Sequence, residues 1–220
     1  MKNNKKHVIY LIGGQTRAGK TIISRQIMRR KHLISVSTDV IGAVVKKVLI
    51  DESYVSIEKI SFKGKVSLRR PGDLKIHKII FEKNSDENDN LTWDGVLGLI
   101  ETYDRKNNID ILIEGIAVTP ERVSRLKLKN LSIKAVFVGY SNESHADAIL
   151  KSSKKNKDWI QIWLKEHGGD ESLVEDWVKE GIIKSKRVEK LAKKFGYKYF
   201  DITKRPFREY VKAVSDYLLK

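Results

Sequence analysis

The sequence predicts an α/β fold in which a parallel sheet is covered by helices on both faces. Three observations predict it. Five short apolar runs are spread along the chain. Helical stretches separate them, as crossover connections between parallel strands require. Finally, the glycine-rich stretch GGQTRAGKT, residues 13–21, follows the first run directly.

The elements follow in order. Residues 7–12 (HVIYLI) read as a buried strand that the glycines end. Lys20 to Arg30 reads as a helix, with Ile23 and Ile27 four apart on one face. Leu33 to Ser37 is a second short strand, followed by a helix from Val40 to Leu49. A helix from about Leu91 to Arg105 precedes a third strand, IDILIEG (109–115). IKAVFVG (133–139) is the fourth strand and YKYFDI (197–202) the fifth. Two regions interrupt the rhythm. Residues 53–83 alternate like β-strands: Val55 and Ile57, then Ile60 and Phe62, then Val66 and Leu68 across a Lys63-Gly64-Lys65 turn, with LKIHKIIFE (74–82) as a further strand. This reads as an inserted β-meander. Residues 141–195 read as largely helical and polar, with Trp159, Trp163 and Trp177 as apolar anchors. No internal repeat or linker divides the chain.

Composition narrows the classes. The 220 residues are 40% hydrophobic and 33% charged, with 3 Pro, an ordinary globular profile rather than a disordered one. No apolar run approaches the length that crosses a bilayer, and the lysine-rich start lacks the apolar stretch of a signal peptide. The sequence contains no cysteine, which excludes disulfides, thiolate metal sites and cysteine nucleophiles. A cytoplasmic location is the expectation. The formal net charge of +16 favours an anionic ligand or partner, nucleic acid among them, although lysines scattered over solvated helix faces give the same number.

From Gly14, the run Gly-Gln-Thr-Arg-Ala-Gly-Lys-Thr satisfies G-x-x-x-x-G-K-[ST], between a predicted strand and a predicted helix. In that context the backbone N–H groups of Gly14, Gln15, Thr16, Arg17, Ala18, Gly19 and the helix start through Ile22 can turn onto phosphate oxygens. The helix adds its partial positive charge. Lys20 can reach the β and γ phosphates, and the Thr21 hydroxyl can ligate Mg²⁺. Asp39 falls just beyond the second strand, where open α/β sheets gather their ligands. A carboxylate there can take a proton from an incoming hydroxyl or bind Mg²⁺; the plainer reading is a helix N-cap. Glu114 ends the third strand and faces the same crevice, placed to position the metal or a substrate hydroxyl.

GGQTRAGKT, STDVI and IEGIAVTP together resemble the small P-loop kinases, most closely 2-phosphoglycerate kinases and more loosely zeta-toxin, gluconate and shikimate kinases. The resemblance covers about residues 7–50, 109–140 and 197–219. It implies a five-stranded parallel sheet of the P-loop NTPase type, MgATP as phosphoryl donor and a mobile lid. It places Asp39 as the acceptor-side carboxylate and Glu114 as the second acid. The whole of 1–220 is then one kinase-like domain, with 53–83 inserted on the acceptor side and 141–195 as a helical lid. Such kinases commonly carry lid arginines, yet between Arg125 and Lys186 there is none. Lys154 and Lys155, in KSSKKNKDW, or Arg17 inside the loop, are the alternatives, although lysine lacks the bidentate fork.

In the resembled kinases the loop after the fifth strand packs on adenine, which nominates Thr203, Arg205 and Pro206. The helix behind it carries Phe207, Tyr210, Val211, Val214 and Leu218 on one face, with Pro206 in its first turn. On the acceptor side Arg69 and Arg70 can pair with a phosphate or carboxylate. His77 reads as a strand surface residue and NSDENDN (84–90) as a polar loop. Asn156-Lys157-Asp158 lacks the spacer of a guanine-reading motif. The expectation is a MgATP-dependent kinase for a small, anionic, hydroxyl-bearing acceptor. A 5′-hydroxyl polynucleotide kinase and a non-catalytic nucleotide-binding protein stand as alternatives.

Overall fold

The computed structural model describes residues 7–51, 56–57, 65–69, 76–80, 86–106 and 109–220. Five parallel strands form its centre: β1 (Val8–Gly14), β2 (Ile34–Ser37), β6 (Ile111–Gly115), β7 (Ser132–Gly139) and β8 (Lys198–Asp201), in the order β2-β6-β1-β7-β8. β1 is central because its run is apolar at nearly every position and both faces are covered. Alternation along it divides the core. Tyr10 and Ile12 pack with Leu112, Val136 and Val138 on one face. Ile9 and Leu11 pack with Ile111, Ile113 and Phe137 on the other.

Helix α1 (Lys20–Lys31) leaves the glycine loop and buries Ile23 and Ile27, while Arg29, Arg30 and Lys31 complement the negative end of its dipole. Helix α8 (Phe207–Leu219) packs against it and buries Tyr210, Val211, Val214 and Leu218. The opposite face is closed by α3 (Asp86–Lys106), through Trp93, Val96 and Ile100, and by the short α4 (Pro120–Ser124). Helix α2 (Thr38–Asp51) runs from β2 and packs on α3. Helices α5 (His145–Asn156), α6 (Trp159–Glu166) and α7 (Ser172–Lys194) occupy most of the chain between β7 and β8. A separate antiparallel sheet, β3-β4-β5, consists of β3 (Ser56–Ile57), β4 (Lys65–Arg69) and β5 (Ile76–Ile80). Among the described residues no helix is long and apolar enough to cross a membrane.

Several boundaries move from their sequence positions. The sequence predicts a polar loop at 84–90 and a helix from about 91, but α3 already includes 86–90. Polar residues are common in the first turn of a helix, so polarity alone misleads. Val55, Ile60, Phe62, Lys63 and Gly64 lie outside the described residues. Trp163 and Trp177 pack against the core, whereas Trp159 is half-exposed and is not an apolar anchor.

The register brings the chemistry-bearing residues to one edge. Glu114 is paired with Ile12 of β1 and with Ser37 of β2, so the glycine loop, Glu114 and the start of α2 lie side by side.

Candidate active site at the carboxyl edge of the sheet

The loop begins with Gly14 at φ +122°, where a Cβ would lie 1.8 Å from the Val138 carbonyl oxygen. Only glycine permits that approach to β7. The Gln15 N–H then donates to the Val138 carbonyl (3.0 Å), the Ala18 N–H to the Gln15 carbonyl (3.3 Å), and the Tyr210 hydroxyl to the Ala18 carbonyl (2.7 Å). These bonds hold the loop in a tight turn, and Ile22 and Ile23 start α1 by donating to Gly19.

Lys20 folds back under this turn and donates to the carbonyls of Gly14 (3.1 Å) and Gln15 (2.7 Å). It is only 8% exposed. Burial pushes its pKa down to about 8, against the opposing pull of the Glu114 and Asp39 charges. The Thr21 hydroxyl donates to Glu114 Oε1 at 3.0 Å. Glu114 is itself buried, and burial moves its pKa upward; Lys20 and Thr21 oppose the shift, and Asp39 adds to it. Lys20, Thr21, Asp39 and Glu114 are thus one electrostatic cluster.

Asp39 is exposed in the first turn of α2, and its N–H donates to Ser37 Oγ at 3.2 Å. The helix is capped by Ser37, which leaves the Asp39 carboxylate free of the N-cap role that sequence also suggests. Thr38 beside it is 1% exposed, and its Oγ1 has no hydrogen-bond partner among the described residues. Gly115, at φ +151°, lies against it: a Cβ there would come within 1.8 Å of Thr38 Oγ1. The carboxyl-edge donors are hard oxygens, a hydroxyl and two carboxylates, a set that suits Mg²⁺ sharing its shell with phosphate and water.

Arg17 occupies the left-handed region at φ 64°, a conformation that costs a side-chain-bearing residue on the order of 1–2 kcal/mol. Its Nη1 donates to Asp158 Oδ2 at 2.8 Å, and its guanidinium lies 5.4 Å from the centre of the Trp159 ring. His145 Nε2 lies 3.2 Å from the Arg17 carbonyl oxygen and donates to it in the tautomer protonated there. Burial lowers the pKa of His145, while that carbonyl and the Asp201 charge resist the shift. Both ends of Arg17 are therefore held by α5 and α6. Lys154 instead pairs with Glu171 at 2.6 Å, and Lys155 is exposed. Among the described residues neither lysine bonds the loop.

Beyond β8, a single 3-10 turn (Ile202–Lys204) follows. The Thr203 hydroxyl and N–H both donate to Asp201 Oδ1 (2.6 and 2.8 Å), so this side chain is occupied in shaping the loop. Arg205 and Pro206 are exposed, and Pro206 is the N-cap of α8 rather than a member of its first turn. Phe207, placed on the core face by periodicity, is 43% exposed. Its ring edge reaches 3.3 Å from where a Cβ on Gly19 would stand. The first residue of an apolar helix stripe overhangs the helix end and meets the glycine loop. Arg69 closes β4, His77 lies in β5, and Arg70 is outside the described residues.

Sequence reasoning missed Thr38, His145, Trp159 and Phe207 as site neighbours, and noticed Asp158 only for a motif it fails to complete. Asp158 follows Lys157, a left-handed helix C-cap, and its side chain accepts the Ile160 N–H at 3.1 Å as the N-cap of α6. An acid before an apolar run signals that cap. Nothing local signals its reach to residue 17.

No protein-family model matches the chain, and no curated protein matches it in sequence. Solved structures do match its fold. A shikimate kinase from Bacteroides thetaiotaomicron superimposes with a TM-score of 0.55 at 14% identity, covering 95% of this chain and 94% of that one. A shikimate kinase from Aquifex aeolicus (TM-score 0.41, 15% identity, 94% and 92% covered) and a dephospho-CoA kinase from Campylobacter jejuni (0.42, 14%, 94% and 95%) overlap less well. The chain has the five-stranded parallel α/β fold of the P-loop kinases, as the first of these comparisons shows.

Proposed function

We propose that the protein transfers the γ-phosphoryl group of MgATP to a hydroxyl of a small, anionic metabolite, in the manner of a 2-phosphoglycerate kinase. One observation carries the reading: Lys20 is buried under the glycine loop, its pKa lowered to about 8, in reach of Glu114 and Asp39. A cation so placed, bonded among the described residues only to two backbone carbonyls, gains most from an arriving polyphosphate. The fold shared with a protein named a shikimate kinase supports a kinase over other phosphate-loop proteins.

In this reading the loop amides and Lys20 hold the phosphates; Thr21, with Asp39 through a bound water, would hold Mg²⁺, which would neutralise charge on them. Asp39 orients the acceptor hydroxyl and takes its proton as the acceptor oxygen bonds to the γ-phosphorus and the bond to the β-bridging oxygen breaks. Glu114 fixes Thr21 and faces the acceptor. Arg17 supplies the charge that lid arginines would otherwise bring, while Lys154 pairs with Glu171. Phe207, with Arg205 and Pro206 beside it, offers a platform for the adenine. Arg69 and Arg70 are candidates for the acceptor's anionic group.

The +16 charge keeps a second reading, a 5′-hydroxyl polynucleotide kinase. Incubation of γ-labelled ATP with phosphorylated hydroxy acids and 5′-hydroxyl oligonucleotides separates the two. Label on a small acid supports the first reading and label on an oligonucleotide the second. ATP binding with no acceptor labelled leaves a non-catalytic nucleotide-binding protein.

A further inference from the structure

We propose that Asp158 and Trp159 hold the Arg17 guanidinium in place as a reader of the terminal phosphate of a nucleoside triphosphate, with Asp158 as its positioning residue. This rests on the kinase reading and adds to it a basis for telling triphosphate from diphosphate.

Three independent features meet at Arg17. First, it stands in a left-handed backbone position that glycine would occupy without cost, so the side chain is present despite the backbone. Second, its guanidinium is held from two sides, by the 2.8 Å bond to Asp158 and by the Trp159 ring at 5.4 Å. Third, only Nη1 is engaged: among the described residues Nε and Nη2 make no hydrogen bond. Those donors are free for a phosphate oxygen, in the planar fork that lysine lacks. The holder is built as well. Asp158 Oδ1 accepts from Ser153 Oγ (2.9 Å) and from the Ile160 N–H (3.1 Å), leaving Oδ2 for Arg17. Gln161 Nε2 donates to the same Ser153 Oγ at 3.1 Å. A side chain held this way loses little further freedom on meeting its anion, so its binding energy goes to recognition.

The alternative role for Asp158 is competition. A carboxylate already bonded to Arg17 would have to release it to phosphate, and its removal would then tighten binding. The two roles predict opposite signs. The test is equilibrium binding of MgATP and MgADP by calorimetry to the wild-type chain, Arg17→Gly, Asp158→Asn and the double variant. Glycine suits the left-handed position and asparagine is a good helix N-cap, so neither change threatens the fold. Arg17→Gly is expected to weaken ATP about tenfold or more while leaving ADP within about threefold, as loss of a charge-assisted bond to the terminal phosphate requires. Asp158→Asn is expected to weaken ATP, but not ADP, by about three- to tenfold, and to have no effect once Arg17 is glycine. Equal losses for ATP and ADP in Arg17→Gly, or tighter ATP binding in Asp158→Asn, overturn the proposal and leave the kinase reading standing. No binding of either nucleotide to the wild-type chain overturns both.

Discussion

At the amino ends of the strands, Lys31 and Asp110 form a 2.9 Å ion pair; at the carboxyl ends, Lys20 and Glu114 share one crevice and interact through space. The charged pairs are chemically alike and their environments are opposite. Burial opposes the Asp110 charge, but bonds from Lys31, the Val8 N–H and His7 outweigh it, and the carboxyl ends below its usual range. Burial likewise opposes the Lys31 charge, yet its bonds to the Tyr10 hydroxyl and Asp110 raise its pKa above the usual value. Both charges are stabilised. Across the sheet, burial wins instead: Lys20 falls to about 8 and Glu114 rises. A pair whose charges the fold favours serves stability, and a pair whose charges it disfavours marks a candidate binding site.

The largest expected contrast comes from removing one lysine. Lys20→Ala should lower phosphoryl transfer by about a thousandfold or more, the scale of losing a main electrostatic stabiliser, in a γ-labelled ATP assay. Next, Asp39→Asn should reduce turnover by about 10²–10⁴-fold while ATP affinity stays within about threefold. Unchanged turnover there would remove Asp39 from the reaction.

Gly115→Ala should destabilise the fold by about 2–4 kcal/mol in urea unfolding, combining overpacking against Thr38 Oγ1 with a left-handed backbone. It should also impair turnover by moving the start of α2. At the amino edge, Asp110→Asn should cost about 1–2 kcal/mol, the scale of two lost hydrogen bonds, and leave ATP affinity unaltered. Because the folded pKa of Asp110 lies below its unfolded value, its contribution is present above the unfolded pKa and fades as pH falls through the folded one. Urea midpoints compared between pH 7 and pH 2 should therefore converge for wild type and variant. A constant gap down to pH 2 would show that the charge is not what stabilises this edge.

The parallel sheet and the tight glycine loop were legible because both rest on local patterns: apolar strands, helical spacing, and glycines where backbone must approach backbone. Lys20 and Thr21 are adjacent in sequence, Asp39 follows the end of β2 and Glu114 lies near the end of β6, so strand alignment alone gathers them. The Arg17 cradle was not legible. Asp158 lies far along the chain from residue 17, and no periodicity connects a loop tip to the cap of a distant helix. Phe207 misled for a different reason, since a helical stripe does not say where the helix begins.

The central claim is that the cation at the carboxyl edge is held at a disfavoured charge until a polyphosphate arrives. Calorimetric titration of MgATP at pH 9, in buffers of differing ionisation enthalpy, tests it most directly. The free protein should hold Lys20 mostly neutral at that pH, so binding should take up about one proton per nucleotide, and affinity should weaken as pH rises above 8. Lys20→Ala should take up none. Tight binding without proton uptake in the wild-type chain, or no binding at millimolar ATP, would contradict the account.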